Sequence, residues 1–399
     1  MACADFDWLG MKKLVYIVNN RIPAERAYSI QIMHMCMEFS KICNKSNWQF
    51  ELLAPKRDNP LGRDPFKYHG FPESFKIVWL WCFDAIGKFV ALGSFAYWIN
   101  SITFLLSLFS WRIRERGEFI IFTREIFIAL FFSKSVLELH TIPDNASWAY
   151  KMMLRNQKKI VAITHAMKED LVSLGCKSEN IFVAPDGIDL DRFGVEIDKS
   201  VARSGLGIPA DKFVVAYTGS FFQHDWKGVD VLLDAAKSLV DHENILFVLV
   251  GGHPEELSEM GEYKKYSNVK LVGHTSFDVV RKYLAAADIL VLPNKSGSRV
   301  SERYTSPLKL FEYMAARRLI LASDLPSIRE VLDDDSAVFV ESSRADLLSL
   351  KIQELSKKTV SDFDSMISCA YNHSKAYSVD KRAENIFEVA KNNYTLWGS

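Results

Sequence analysis

From residue 213 onward the chain alternates continuous apolar runs with stretches whose apolar residues recur at helical spacing. Phe213 to Thr218 is unbroken by charge and ends in Gly219, as a strand buried on both faces of a parallel sheet does. Val229, Leu232, Leu233 and Ala236 then fall at i, i+3, i+4 and i+7, which predicts a helix. Ile245–Val250, closed by Gly251 and Gly252, reads as the next strand. Val269–Val272, a helix over about 277–287, Asp288–Leu292, a helix near 307–317, Leu319–Ala322 and Ala337–Val340 continue the alternation. Strand following helix in this way predicts an α/β domain of the Rossmann type, a parallel sheet covered on both faces.

The first half repeats the theme less regularly, with strand-like runs at Leu14–Val18, Phe50–Leu53, Ile120–Phe122, Val136–Leu139, Ile160–Ile163 and Ile181–Ala184. Between roughly 190 and 211 the periodicity lapses into polar sequence with Gly and Pro, and the domain boundary is expected there. Two Rossmann-like domains follow, 1–195 and 196–376, with a C-terminal segment 377–399. Residues 1–10 read as a leader without structural signals. The run Leu14–Val18 breaks at Asn19-Asn20, which suits a buried strand and not a secretory apolar region.

The segment Val78–Phe109 is rich in Trp and Phe and leaves three readings open. It forms two core helices. Alternatively, it presents a hydrophobic face that sits on a membrane or holds a lipid acceptor. The run Val90–Phe109 also approaches the length of a spanning helix.

Charge narrows the function classes. The 49 basic and 49 acidic residues cancel, so no global field recruits nucleic acid. Six scattered cysteines without a CxxC pair read as reduced, mostly buried thiols of a cytoplasmic protein. The histidines are isolated and match no metal-ligand spacing, so no metal and no bound cofactor is expected.

The richest stretch is Ser306-Pro-Leu-Lys-Leu-Phe-Glu-Tyr-Met-Ala315. It predicts a helix with Ser306 as N-cap, Pro307 at the first helical position, Leu308 following and Lys309 in the first turn. Free amides, the positive end of the helix dipole and a lysine suit a phosphate group. Glu312, about one turn on, suits two ribose hydroxyls. The plainer alternative is a solvated Lys309 and an ordinary surface Glu312. The second element is Tyr217-Thr-Gly-Ser-Phe-Phe-Gln-His-Asp-Trp-Lys-Gly228, between a strand and a helix, where parallel sheets gather ligands. Gly219 lets backbone approach a ligand, and Lys227 can reach a diphosphate. Neither a GxGxxG loop nor a P-loop is present. His140 ends an apolar strand, where it is either a satisfied interior residue or a group of the site. Arg124 and Glu125 read as a buried pair that fixes a loop.

In order, Tyr-Thr-Gly, Lys-Gly-Val-Asp-Val-Leu-Leu-Asp-Ala, Leu-Val-Gly-Gly, Val-Gly-His-Thr, Ala-Asp-Ile-Leu-Val-Leu-Pro, Ser-Pro-Leu-Lys-Leu-Phe-Glu-Tyr-Met-Ala and Ser-Asp-Leu-Pro-Ser-Ile-Arg-Glu330 resemble the donor domain of glycosyltransferase family 4. Asn20–Gln31, Phe122–Phe127, Glu138–Pro143 and Val183–Asp189 resemble blocks of the family's first domain. The resemblance implies a GT-B fold, two Rossmann-like domains facing a central cleft. Residues 1–195 would take the acceptor, 196–376 the nucleotide sugar, and the C-terminal helix of 377–399 would cross back to the first domain. It also implies a retaining, metal-independent transfer from a UDP- or GDP-sugar to a glycan or lipid-linked acceptor, in synthesis of a cell-surface polysaccharide or glycoconjugate.

The residues carried over are Lys227 and the Ser306–Lys309 amides at the diphosphate, Glu312 at the ribose, Gly273 and His274 beside the base, and His140 beside the transferred sugar. The donor-binding set is completed by Gly219, Ser220, Tyr304, Thr305, Pro307 and Leu308. Two positions depart from the family. Tyr304, eight residues before Glu312, stands where many members have a glutamate, and Ser220 replaces an arginine. Lys309 or Arg303 is the expected replacement charge. A catalytically inactive nucleotide-binding scaffold is the alternative function. Peripheral contact with the inner face of the membrane through 78–109 is the expected location.

Overall fold

The computed structural model describes residues 12–85, 93–115, 117–132, 134–221 and 225–395. The leader 1–10, Lys88, Phe89, the start of the run Val90–Phe109 and the loop residues Phe222, Gln223 and His224 lie outside them. The chain divides into two compact units, one of Met1–Ile163, Lys168–Ala184 and Val379–Ser399, the other of Thr164–Met167 and Pro185–Ser378.

The first unit is built on a seven-stranded parallel sheet: β1 Lys12–Ile17, β2 Trp48–Lys56, β3 Lys76–Trp81, β4 Glu118–Thr123, β5 Ser135–Leu139, β6 Ile160–Ala162 and β7 Ile181–Val183, in the order β3-β2-β1-β4-β5-β6-β7. The second carries six strands, β8 Phe213–Thr218, β9 Ile245–Gly252, β10 Val269–Gly273, β11 Ile289–Leu292, β12 Leu319–Ser323 and β13 Val338–Val340, in the order β10-β9-β8-β11-β12-β13. Both orders turn back at the first strand, between β1 and β4 and between β8 and β11. This is the Rossmann arrangement, in which ligands bind beyond the carboxyl ends of the strands at the reversal.

The apolar runs form strands because both faces are covered. On β8, Val214 and Ala216 enter one core cluster while Val215 and Tyr217 enter the other. β1 divides in the same way, Leu14 and Tyr16 to one side and Val15 and Ile17 to the other.

The described residues of the aromatic segment divide between a strand and a helix. Val78–Trp81 belongs to edge strand β3, paired in parallel with β2, and Gly93–Arg114 is a helix. Ala96, Asn100, Phe104, Leu108 and Trp111 line its buried face. Asn100 is accommodated because its side-chain carbonyl accepts the Ala85 amide at 2.7 Å. Phe95, Trp98, Ile102, Leu106, Phe109 and Ile113 form an exposed row on the opposite face. No helix among the described residues is long and apolar enough to cross a membrane.

The unit boundary falls at Ala184 and Pro185, not within 190–211. The polar residues of that stretch are helix signals. Asp198 accepts from the amides of Ser200 and Val201 to cap the helix Lys199–Leu206, and Gly207 ends it. Phe193, Ala202 and Ile208 from this stretch join the second core. The C-terminal helix Val379–Thr395 places Ala383, Ile386, Phe387 and Ala390 in the first unit's core, with Phe387 edge-on to Trp48 at 5.4 Å. Cys36, Cys43, Cys82 and Cys176 are buried free thiols, and Cys369 is half-buried.

Candidate functional site

In the second unit, chemistry collects where β8 and β11 part. Gly219 follows β8 at φ +127°, a left-handed value that favours glycine, and an added Cβ would lie 3.4 Å from Lys309 Nζ. The helix Leu308–Ala315 begins in the connection after β11 and presents Lys309 on its first turn. Lys309 Nζ donates to the Tyr217 hydroxyl at 2.8 Å and lies 4.0 Å from the centre of that ring. The Tyr217 hydroxyl donates in turn to the Ser220 carbonyl at 3.1 Å. Lys227 ends the short turn Asp225–Lys227 and donates to Ser220 Oγ. Gly219, Ser220, Lys227 and Lys309 are therefore one connected group.

Its electrostatics are those of an anion site. Burial lowers the pKa of Lys227, with Glu256 opposing. Burial, and then the charge of Lys227, hold Lys309 well below the usual lysine range, with Glu312 opposing. Glu312 is pushed up to about 7 by burial, against the pull of Lys309. Glu256 is held in place by accepting the amides of Phe221 and His253 at 3.1 and 2.9 Å. Two half-buried cations beside a helix amino end repel each other, and a bound dianion relieves that repulsion.

The helix starts later than the sequence reading has it. Pro307 occupies the N-cap position without a side-chain cap, and Leu308 is the first helical residue. Ser306 is committed elsewhere, its hydroxyl accepting the Asp186 amide at 2.9 Å. Thr305 is buried and donates to the Val300 carbonyl at 2.7 Å. Tyr304, placed in the donor-binding set, is 2% exposed, so its ring is interior. Glu302 instead accepts the Gly297 amide at 2.8 Å. Arg303 donates to the Ala166 carbonyl at 3.1 Å, whereas Lys309 reaches the Gly219 loop. Arg317 has φ +53°, taking the left-handed residue after the helix that glycine usually supplies. Gly273 ends β10. The His274 amide donates to the Gly252 carbonyl at 2.9 Å, and its ring stacks on His253 at 5.9 Å.

His140 lies in the first unit, just past β5, with Nε2 3.3 Å from Glu138 Oε2. Glu138 pairs with Arg124 at 2.5 Å and with Arg382 of the C-terminal helix at 2.5 Å. Burial alone would raise the Glu138 carboxyl, but Arg124, Arg382 and His140 together hold it well below its usual value. The expected Arg124–Glu125 pair is replaced by Arg124–Glu138, and burial pushes Glu125 up to about 7, with Arg57 opposing. Glu138 inside an apolar strand was the available signal, since a buried carboxylate requires partners. Nothing local points to Arg382. The histidines are also less isolated than their scatter suggests. Cys369 and His373 stand one turn apart on the helix Asp364–Ser374, beside Asp333.

Residues 212–358 match the family model described as glycosyl transferases group 1. The chain is 26% identical over 202 residues to TuaC of Bacillus subtilis, named a teichuronic acid biosynthesis glycosyltransferase, covering 50% of this chain and 47% of that protein. It is 28% identical over 151 residues to a phosphatidyl-myo-inositol mannosyltransferase of Mycobacterium tuberculosis, covering 38% of this chain and 36% of that one. Residues 212–358 thus carry the sequence signature of a group 1 glycosyl transferase, which supports assignment to glycosyltransferase family 4. The matched stretches span about half or less of these relatives' own length. The fold extends further. HepE of Anabaena, solved in complex with UDP, superposes with a TM-score of 0.70 over 95% of this chain and 100% of that chain, at 15% identity. This GT-B likeness extends well beyond the stretch matched by the family model.

Proposed function

We propose that this chain transfers a sugar from a UDP- or GDP-sugar to a glycan or lipid-linked acceptor, with retention at the anomeric carbon. The observation that carries this is the connected group of Gly219, Ser220, Lys227 and Lys309 at the strand reversal of the second unit. Cleaving the sugar–phosphate bond leaves negative charge on the departing diphosphate. Cations and helix amides placed in advance stabilise that charge without reorganising. Lys227, Lys309 and the amides of Leu308 and Lys309 are assigned to the diphosphate, and Lys309 takes the charge that Ser220 lacks. Glu312 is assigned to the ribose and the Gly273–His274 turn to the base. His140, oriented by Glu138, is assigned to the sugar and acceptor side. The lysines carry the charge that a divalent ion supplies in other transferases, so turnover should persist in a chelator.

Related proteins named for teichuronic acid and phosphatidylinositol glycosylation support an acceptor of cell-surface type. The exposed row Phe95, Trp98, Ile102, Leu106, Phe109 and Ile113, followed by exposed Arg112 and Arg114, supports peripheral contact with an anionic inner membrane face.

The test is thermal stabilisation across nucleoside diphosphates and their sugars, followed by release of nucleoside diphosphate. Ligand at 100 times its dissociation constant adds about 2.7 kcal/mol. One base should be selected, and Lys227→Ala should lower turnover by on the order of 10²–10³. Binding without release would instead favour an inactive scaffold, and no shift with any nucleotide would remove the donor assignment.

A further inference from the structure

We propose that Asp333, Cys369 and His373 form a three-ligand site for a thiophilic divalent cation, with Zn²⁺ the best match. Cys369 and His373 are four residues apart on the helix Asp364–Ser374. That spacing places both side chains on one face, one turn apart. Cys369 Sγ and His373 Nε2 are 3.6 Å apart. Zn–S and Zn–N bonds of about 2.3 and 2.0–2.1 Å at a tetrahedral angle require a separation of roughly 3.5 Å between the two ligand atoms. The pair therefore already stands at the spacing of two ligands on one ion.

The third ligand comes from a different segment. Asp333 follows the helix Pro326–Arg329, and the ligand atoms of the three residues lie within 4.8 Å of one another. Its carboxylate is held from behind, because Ser336 Oγ donates to Oδ1 at 2.6 Å and itself accepts the Asp333 amide at 2.9 Å. Such outer contacts orient ligating carboxylates in metal sites. A thiolate, an imidazole and one carboxylate select a soft or borderline ion over Mg²⁺ or Ca²⁺, which take oxygen ligands. Asp333 is exposed and the other two are half-buried, which leaves the fourth position to water. On binding, the Cys369 thiol gives its proton to solvent and the thiolate joins the ion. The bound ion would fasten the segment around Asp333 to the helix carrying Cys369 and His373. This site does not depend on the transferase assignment.

The experiment uses the full chain, reduced with a phosphine and freed of metal, titrated with Co²⁺ and then Zn²⁺. Expected are a near-ultraviolet thiolate–cobalt charge-transfer band with the visible bands of a tetrahedral ion, displacement by Zn²⁺, and no competition from excess Mg²⁺. Cys369→Ser should abolish the charge-transfer band, and His373→Ala should weaken Zn²⁺ binding by more than about tenfold. Circular dichroism of both variants checks that they remain folded. Absence of the band in the parent chain, or its persistence in folded Cys369→Ser, overturns the assignment.

Discussion

Glu138→Gln removes the carboxylate that pairs with both Arg124 and Arg382 while keeping the side chain's shape. The carboxylate has no exposed surface, and the Arg124 and Arg382 side chains are 12% and 5% exposed. Removing one partner of a buried ionic group costs about 3–5 kcal/mol, because the remaining charge stays desolvated. Here two guanidinium groups are left facing each other, so the upper half of that range applies. Arg382→Met should cost less, about 1.5–3 kcal/mol for one hydrogen bond to a charged group, since Glu138 keeps Arg124 and His140. The double variant should be less destabilised than the sum, by about 1–3 kcal/mol, because the glutamine then strands only one guanidinium. Urea denaturation followed by circular dichroism reads these as midpoint shifts. For a slope of about 2–3 kcal/mol per molar, Glu138→Gln should move the midpoint by roughly 1.3–2.5 M.

The pH dependence supplies a second readout. The folded Glu138 pKa lies below its unfolded value, so its contribution is complete above the ordinary glutamate range. It is lost as pH falls through the depressed folded pKa. The parent should therefore lose stability with acid more steeply than Glu138→Gln. A cost under about 1 kcal/mol for Glu138→Gln at neutral pH would show that water or relaxation compensates the arginines, and would refute the reasoning.

Glu312 is pushed up to about 7, and under the proposed donor assignment its ionised form is the one that best accepts from two ribose hydroxyls. Nucleotide-induced stabilisation should therefore fall as pH drops from about 8 to 6, and Glu312→Gln should flatten that profile. Gly228 has φ +69°, and an added Cβ would meet the Pro293 carbonyl oxygen at 1.8 Å. Gly228→Ala should thus cost more than about 2 kcal/mol in denaturation, because the obstacle is backbone. Leu106→Glu and Phe109→Glu alter exposed positions and should change stability by less than about 0.5 kcal/mol. The same pair should abolish sedimentation with anionic vesicles, and retained sedimentation would remove the membrane assignment from this face.

The two Rossmann-like sheets are legible in the sequence because a strand buried on both faces must be apolar throughout, as Phe213–Thr218 and Leu14–Val18 are. The phosphate-suited stretch is legible for a similar reason, since Lys309 and Glu312 sit on one short helix whose spacing is local. Tertiary structure decided what depends on distant partners. Ser306 has the composition of a helix cap, yet its hydroxyl accepts an amide 120 residues away. Val78–Trp81 is aromatic enough for a core helix but becomes a strand because β2 offers an unpaired edge. Glu138 announces a need for charge, while the residue that meets it, Arg382, lies 244 positions on. Cys369 and His373 show their helical spacing in the sequence, but only folding brings Asp333 beside them. Periodicity records which environment each residue requires. Chain closure over hundreds of residues decides which group supplies it.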